Sequence, residues 1–223
     1  MANENILTSS AVEEEIRVAA IEERDIDFAG KTLPGLSLQK RIIEQTLNLE
    51  GATVLSTISL EEAILKKGIM AKGAQINGSF YMGEAQAGGD IDLSGVKIKG
   101  GINFVEAMVA GSLNLDDLRA EGFVSLSRAQ FKKDIFLRNM KVDDSYQAGL
   151  VIKGDVYLRE AVIAGSVDLS GSSIEGTLDI VQIFVGGNVT LEKTKIANYF
   201  ICKKAVIKGK FNLNKTSYKE MIS

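Results

Sequence analysis

The chain has 223 residues, 45% hydrophobic and 25% charged, with a formal net charge of −3, the balance of an ordinary folded domain. It has no histidine, a single cysteine (Cys202) and a single proline, which argues against a disulfide framework, a thiolate metal cluster and histidine-based zinc or acid–base chemistry; the charge offers no basic footprint for nucleic acid. Twenty-two glycines beside one proline call for a regular structural role.

Met1 to Ser10 is polar and lacks the basic-then-apolar pattern of an export signal, and no run of about 18 apolar residues occurs after it. A cytoplasmic protein with no membrane span is expected. Ser10 and Glu13 fit a capping box, and Val12, Ile16, Ala19 and Ala20 fall near one helical face, so Ser9–Arg24 predicts a short helix covering the N-terminal end of the main body of the chain. The chain divides into 1–25, a polar segment and capping helix; 26–218, a repeat region; and 219–223, a C-terminal tail.

The repeat region begins with a weak unit (Ile26, Phe28, Lys31, Leu33) and a one-residue slip at Pro34. From Leu36 onward, apolar residues recur at the first, third, sixth and eighth places of an eleven-residue unit, for example Ile91, Leu93, Val96, Ile98 and then Ile102, Phe104, Ala107, Val109. The frame runs unbroken through the unit at Ile135, loses one residue within Asp143–Ser145 to give a degenerate unit at Ser145, and resumes at Val156, Val167, Leu178, Val189, Phe200 and Phe211.

An eleven-residue period also suits a right-handed helical coiled coil. The tenth place rules against it: Gly recurs there (Gly78, Gly89, Gly100, Gly111, Gly122, Gly154, Gly165, Gly176, Gly187, Gly209), with Asn198 in another unit, and each Gly would cost a helix about 1 kcal/mol. Gly and Asn enter positive φ cheaply, so the tenth place predicts a corner. Apolar residues two apart point to one side of an extended strand. With two such pairs per unit, each unit is half of a 22-residue coil, and the fold class is all-β: a right-handed parallel β-helix, four-sided, with a short N-terminal capping helix. Coils stacked at ~4.8 Å make a rod roughly 40 Å long.

Seven units open apolar, then Asp or Asn, then apolar: Leu47-Asn48-Leu49, Ile91-Asp92-Leu93, Ile102-Asn103-Phe104, Leu113-Asn114-Leu115, Val167-Asp168-Leu169, Leu178-Asp179-Ile180 and Phe211-Asn212-Leu213. From about Leu36 to Tyr218 the chain resembles the pentapeptide-repeat proteins, whose Ala-(Asp/Asn)-Leu-X-X motif forms a right-handed quadrilateral β-helix. It departs from them in alternating five and six residues per side.

No catalytic constellation or cofactor motif is present, so no catalytic, cofactor-binding or metal-binding residue is assigned and the chain reads as a non-enzyme without cofactor. Cys202, Met82 and Met140 fall at inward places and read as core. Outward residues 22 apart should stack into stripes: Glu62, Glu84 and Glu106 at one corner, and Lys97, Arg119 and Lys141 elsewhere, the latter continuing past the slip as Val162, Phe184 and Val206. With Tyr157, Val181, Ile201 and Phe211 these three apolar residues form the candidate interface.

The leading function is a non-catalytic protein-interaction or structural scaffold with a protein partner. The alternatives are a DNA-mimicking topoisomerase-binding protein, as the resemblance implies for some members, and an end-to-end filament former; direct nucleic-acid binding is not expected. A homodimer through the C-terminal coils is expected, because only Tyr218, Met221 and Ile222 remain to cover them. The frame predicts one buried column of Leu93, Leu115, Leu137, Leu158 and Ile180, with Asp92, Asn114 and Asp179 outward.

Overall fold

The polar residue at the second place of a unit closes a turn. In all seven units of the motif its Oδ1 accepts the backbone N–H two residues on: Asn48 from Glu50, Asp92 from Ser94, Asn103 from Val105, Asn114 from Asp116, Asp168 from Ser170, Asp179 from Val181 and Asn212 from Asn214, at 2.8–3.1 Å. This is an Asx turn, which Asp and Asn form because their short side chains reach that amide without strain. The backbone then folds through an i to i+3 bond, as from Val96 N–H to the Leu93 carbonyl at 3.2 Å, with the fifth-place residue in the left-handed region.

A computed structural model describes residues 6–143 and 154–223, together with the backbone of strands Ser145–Gln147 and Leu150–Ile152. Among the described residues the repeats form a parallel β-solenoid whose sides are four sheets of nine, eight, nine and eight two- or three-residue strands. In order around a coil, the first face starts at Ile26–Asp27, the second at Thr32–Leu33, the third at Leu36–Ser37 and the fourth at Ile42–Ile43. The register step is 22 residues along the regular coils, as Gln75↔Lys97 and Ile69↔Ile91 show; it is 21 across Pro34 and again at the last strand, where Phe200 pairs with Met221.

First-, third-, sixth- and eighth-place side chains fill the interior from Ile26 to Phe200, so hydrophobic burial runs along the whole rod. Met82 and Met140 are buried as expected. Polar Ser172 and Thr194 occupy sixth places and are fully buried; Thr194 Oγ1 donates to the Leu169 carbonyl at 2.7 Å, and Ser172 Oγ donates to that of Leu137. A hydroxyl is tolerated there because it finds a carbonyl on the neighbouring coil.

Several expectations need correction. The Ser145 unit is not a half-coil: Val124 pairs with Val156 and Ile135 with Val167, a step of 32 residues, while Ser145–Gln147 and Leu150–Ile152 pair antiparallel with each other. Asp144, Ala148, Gly149 and Lys153 of this segment lie outside the described residues.

The insertion shifts the later units by one half-coil, so the expected column divides. Leu93, Leu115 and Leu137 continue as Leu169, whereas Leu158 and Ile180 stand on the third face; all are buried. Asp92 and Asn114 are half-buried on outward places, but Asp179 is covered: Arg159 Nη2 donates to its Oδ2 at 2.6 Å and leaves it 3% exposed.

The tenth-place glycines, expected at positive φ, answer instead to close approach. Only Gly122 among them has positive φ. A Cβ on Gly111 would stand 2.4 Å from the Gly89 carbonyl oxygen, and one on Gly209 2.5 Å from that of Gly187. The left-handed corner is the fifth place, held by Gly51, Gly73 and Gly95 at one edge but by Lys40, Glu62, Glu84, Glu106 and Arg128 at another.

Lastly, the helix spans Ser9–Ile21 with Thr8 as N-cap, accepting from Ala11 N–H at 3.1 Å, so Ser10 and Glu13 form no capping box. Thr8 has the extended backbone a cap requires. Val12, Ile16 and Ala19 are buried in the common core, and Glu13 and Glu15 pair with Arg41 and Arg24 of the first coil region. At the other end Glu220–Ile222, expected as tail, pairs with Tyr199–Ile201 as a further strand of the third face.

Two substitutions separate the kinds of corner. Gly111→Ala forces backbone apart and should destabilise by about 2 kcal/mol or more, in the range of core overpacking, whereas Glu84→Gly relieves a left-handed non-glycine residue and should raise stability by about 0.5–1 kcal/mol. Urea unfolding of both variants beside the parent checks the opposite signs.

Candidate functional site

Outward places on the four faces differ in chemistry. The first carries Asn48, Asp92, Asn114 and Asp168, all engaged in the turns above. The second carries Gln75, Lys97, Arg119 and Lys141, in register with one another. These cations do not continue into the apolar line, as the sequence suggested; Lys141 pairs onward with Ser173. The insertion is again the cause, since it moves Val162 onto the opposite side.

The apolar line belongs to the fourth face, where Gln130 pairs with Val162, Val162 with Phe184 and Phe184 with Val206. Traced toward the N-terminus, the same rungs are Met108, Gln86, Ile64 and Ile42. Ile42, Met108, Val162, Phe184 and Val206 are exposed, from 37% at Phe184 to 61% at Ile42, and Ile64 is half-buried, far above what a sheet face turned to a core would show. The ladder thus spans the face, and its N-terminal half was missed because the half-coil shift concealed that these residues share a column.

Beside the ladder runs a second outward line containing Lys66, Gly88, Ala110, Lys132, Ala164 and Gly186. Where its residues are small, a shallow trough of about 440 Å³ opens over Gln86, Met108, Gln130 and Val162. The Lys208 ammonium sits 6.0 Å from the centre of the Phe184 ring, a cation–π contact that leaves the ring's outer edge open.

Of the other candidate interface residues, Tyr157 and Ile201 stand on the third face with Asp179 between them in register, and Val181 comes after Asp179 in the turn leading to the fourth face. These three are half-buried. The Arg159–Asp179 pair interrupts them, so they form the margin of the apolar face. Phe211 is an inward first-place residue left exposed at the last coil, packed 6.2 Å from Phe200, and does not belong to the fourth face.

The glutamate corner is real: Glu62, Glu84 and Glu106 all have φ between 58° and 60° and succeed one another up the edge between third and fourth faces. Lys40 lies 3.3 Å from Glu62 and Arg128 2.5 Å from Glu106, so both ends of the line carry a compensating cation. Burial pushes the half-buried Cys202 thiol up, and burial followed by the Asp155 hydrogen bond pushes the Tyr157 hydroxyl up.

Aspartates just before a strand tie one coil to the next. Asp90 Oδ1 accepts Ser112 N–H at 2.8 Å, and Asp25, Asp134 and Asp155 make the same contact to Thr46, Ser166 and Thr177. The Ser112 amide, then Lys133, holds the Asp90 carboxyl below its usual 3.8, and Thr46, then Lys67, does so for Asp25.

Among the described residues, no helix is long and apolar enough to cross a membrane. Comparison with protein-family models, with curated proteins and with solved structures found no match.

Because the folded-state values of Asp25 and Asp90 are depressed, their contribution is present above the unfolded value and is lost as pH falls below about 3.8. The double substitution Asp25→Asn, Asp90→Asn keeps an acceptor for each amide but removes the charge. It should lower Tm slightly at pH 7 and shrink the fall in Tm between pH 5 and 3, as thermal melts at the three pH values would register.

Proposed function

We propose that this chain is a non-catalytic protein-interaction scaffold of pentapeptide-repeat-like architecture, with its fourth face as the docking surface. The observation that carries the reading is the exposed ladder of Ile42, Met108, Val162, Phe184 and Val206 on one flat parallel sheet. An outward apolar line, broken only by Gln86 and Gln130 on either side of Met108, is the informative departure from a polar surface, because burying it against a partner removes apolar area from water. At the equivalent places on the first face the apolar residues stand singly, Met70 between Asn48 and Asp92 and Phe136 between Asn114 and Asp168, and the second face carries Gln75, Lys97, Arg119 and Lys141. The seven Asx turns and the four-sided coil support the pentapeptide-repeat likeness.

The DNA-mimicking alternative has less behind it. A mimic needs a continuous anionic surface, whereas Lys40 and Arg128 neutralise the glutamate corner and Lys97, Arg119 and Lys141 make the second face cationic.

The test is affinity capture with the parent chain, a fourth-face variant (Met108→Asp, Phe184→Asp) and a second-face variant (Lys97→Glu, Arg119→Glu), each checked for folding by far-UV circular dichroism. Binding retained by the second-face variant and reduced at least tenfold in the fourth-face variant is expected. Equal binding by both variants would refute the assignment of the docking face.

A further inference from the structure

We infer that the occupant of the fourth face is a second copy of this chain, packed face to face with the two rods antiparallel about a two-fold axis at the Met108 rung. This rests on the docking-face reading and names its partner. The first argument is the order of the ladder. About Met108 it reads the same in both directions by chemical class: the axis sets Gln86 opposite Gln130, Ile64 opposite Val162 and Ile42 opposite Phe184, with Met108 facing its own counterpart. Apolar groups meet apolar groups, and each glutamine amide meets another that can both donate and accept.

The parallel second line supplies an independent match. The same operation sets Lys66 opposite Ala164, Lys132 opposite Gly88 and Ala110 opposite itself, so each long cation meets a residue without bulk and no two lysines collide. The alternative with parallel rods would oppose the second line to the corner line, bringing Arg128 against Lys132 and Lys204 against Lys208 at one end while Lys40 meets Glu44 and Glu62 meets Lys66 at the other, so the order of the ladder and the size match of the second line carry the choice. Like charges held together at an interface oppose association. In the antiparallel arrangement the corner line faces itself. Glu84 then stands opposite Arg128, while Glu62 and Glu106, which oppose Glu160 and Glu106 of the second copy, keep their own cations at 3.3 and 2.5 Å.

Area is sufficient for a reversible dimer. Seven overlapping rungs at ~4.8 Å and about five residues of strand at ~3.3 Å give roughly 500 Å² from each copy. The total of about 1,000 Å² is at the lower end for a specific interface and suits dissociation in the micromolar range rather than an obligate assembly. A closed two-fold also covers the ladder from Ile42 to Phe184 without leaving a surface that propagates into filaments.

Sedimentation equilibrium of the full chain across 1–100 µM measures the association. A dimer of the 24.0 kDa chain is expected, at least tenfold weaker in Met108→Arg, which contributes two charges at the axis, and unchanged in Lys97→Glu on the second face. Orientation is read with a bis-maleimide linker of about 10 Å, because facing sheets stand ~10 Å apart, beyond disulfide reach. In a Cys202→Ser background, Met108→Cys should cross-link with itself and Ile42→Cys should not. Ile42→Cys mixed with Phe184→Cys should give the heterologous product.

A monomer at 100 µM overturns the inference, and self-linking of Ile42→Cys as efficient as that of Met108→Cys overturns the antiparallel orientation. If the parent is monomeric yet captures another protein through the fourth face, the docking-face reading stands and the second copy falls. If it is monomeric and captures nothing through that face, both fall.

Discussion

Everything in this molecule depends on how closely one coil lies on the next. Backbone amides bridge coils along every face and also at the corners, where Gly100 N–H reaches the Gly78 carbonyl at 2.9 Å and Gly187 N–H that of Gly165 at 2.8 Å. At that separation a corner residue of the upper coil has no room for Cβ, which is why glycine recurs there even though most of these corners need no positive φ. The hydrogen-bonded repeat distance of a parallel sheet is thereby carried around the turns, and the coils stay in a single register.

That constraint makes the exterior periodic. Once every coil repeats at 22 residues, any outward place becomes a column and its chemistry is amplified along the rod. A line of Asp and Asn consumed in turns, a line of cations and a line of apolar side chains are all consequences of one geometry applied to different letters. The apolar column is one whose chemistry the solenoid does not itself use. Sixth-place Ser172 and Thr194 are used inwardly, Asp90 and Asp134 between coils, and second-place carboxylates and carboxamides within turns. The ladder from Ile42 to Val206 has no equivalent partner among the described residues beyond Lys208 over Phe184, and so its chemistry is directed outward.

The corners also show how unevenly the backbone cost is distributed. Gly51, Gly73 and Gly95 take the left-handed fifth place at one edge without penalty, whereas Lys40, Glu62, Glu84, Glu106 and Arg128 take it at another edge against a preference of about 1 kcal/mol each. Ion pairs along this charged edge offset little of that, since exposed pairs contribute modestly. The stacking energy of the coils overrides the local preference, as tertiary packing commonly does.

By itself the sequence determined the half-coil, its inward places and its turns. Period-two apolar pairs, the Asp or Asn at the second place and the tenth-place glycine are local signals, each with a local physical cause, and the core residues from Ile26 to Phe200 derive from them. The helix at Val12, Ile16 and Ala19 was legible for the same reason, although its cap was misplaced by two residues because Thr8 and Ser10 are both competent caps. What only the tertiary structure decided is which half-coils share a face. A unit beginning at Ser145 and a hairpin inserted over the same residues look alike along the chain, and they differ only in whether Val124 is stacked under Val156. That choice is a matter of which coils stack, a non-local energy, and it moved Val162, Phe184 and Val206 from the cationic face to the side that already carried Ile42 and Met108.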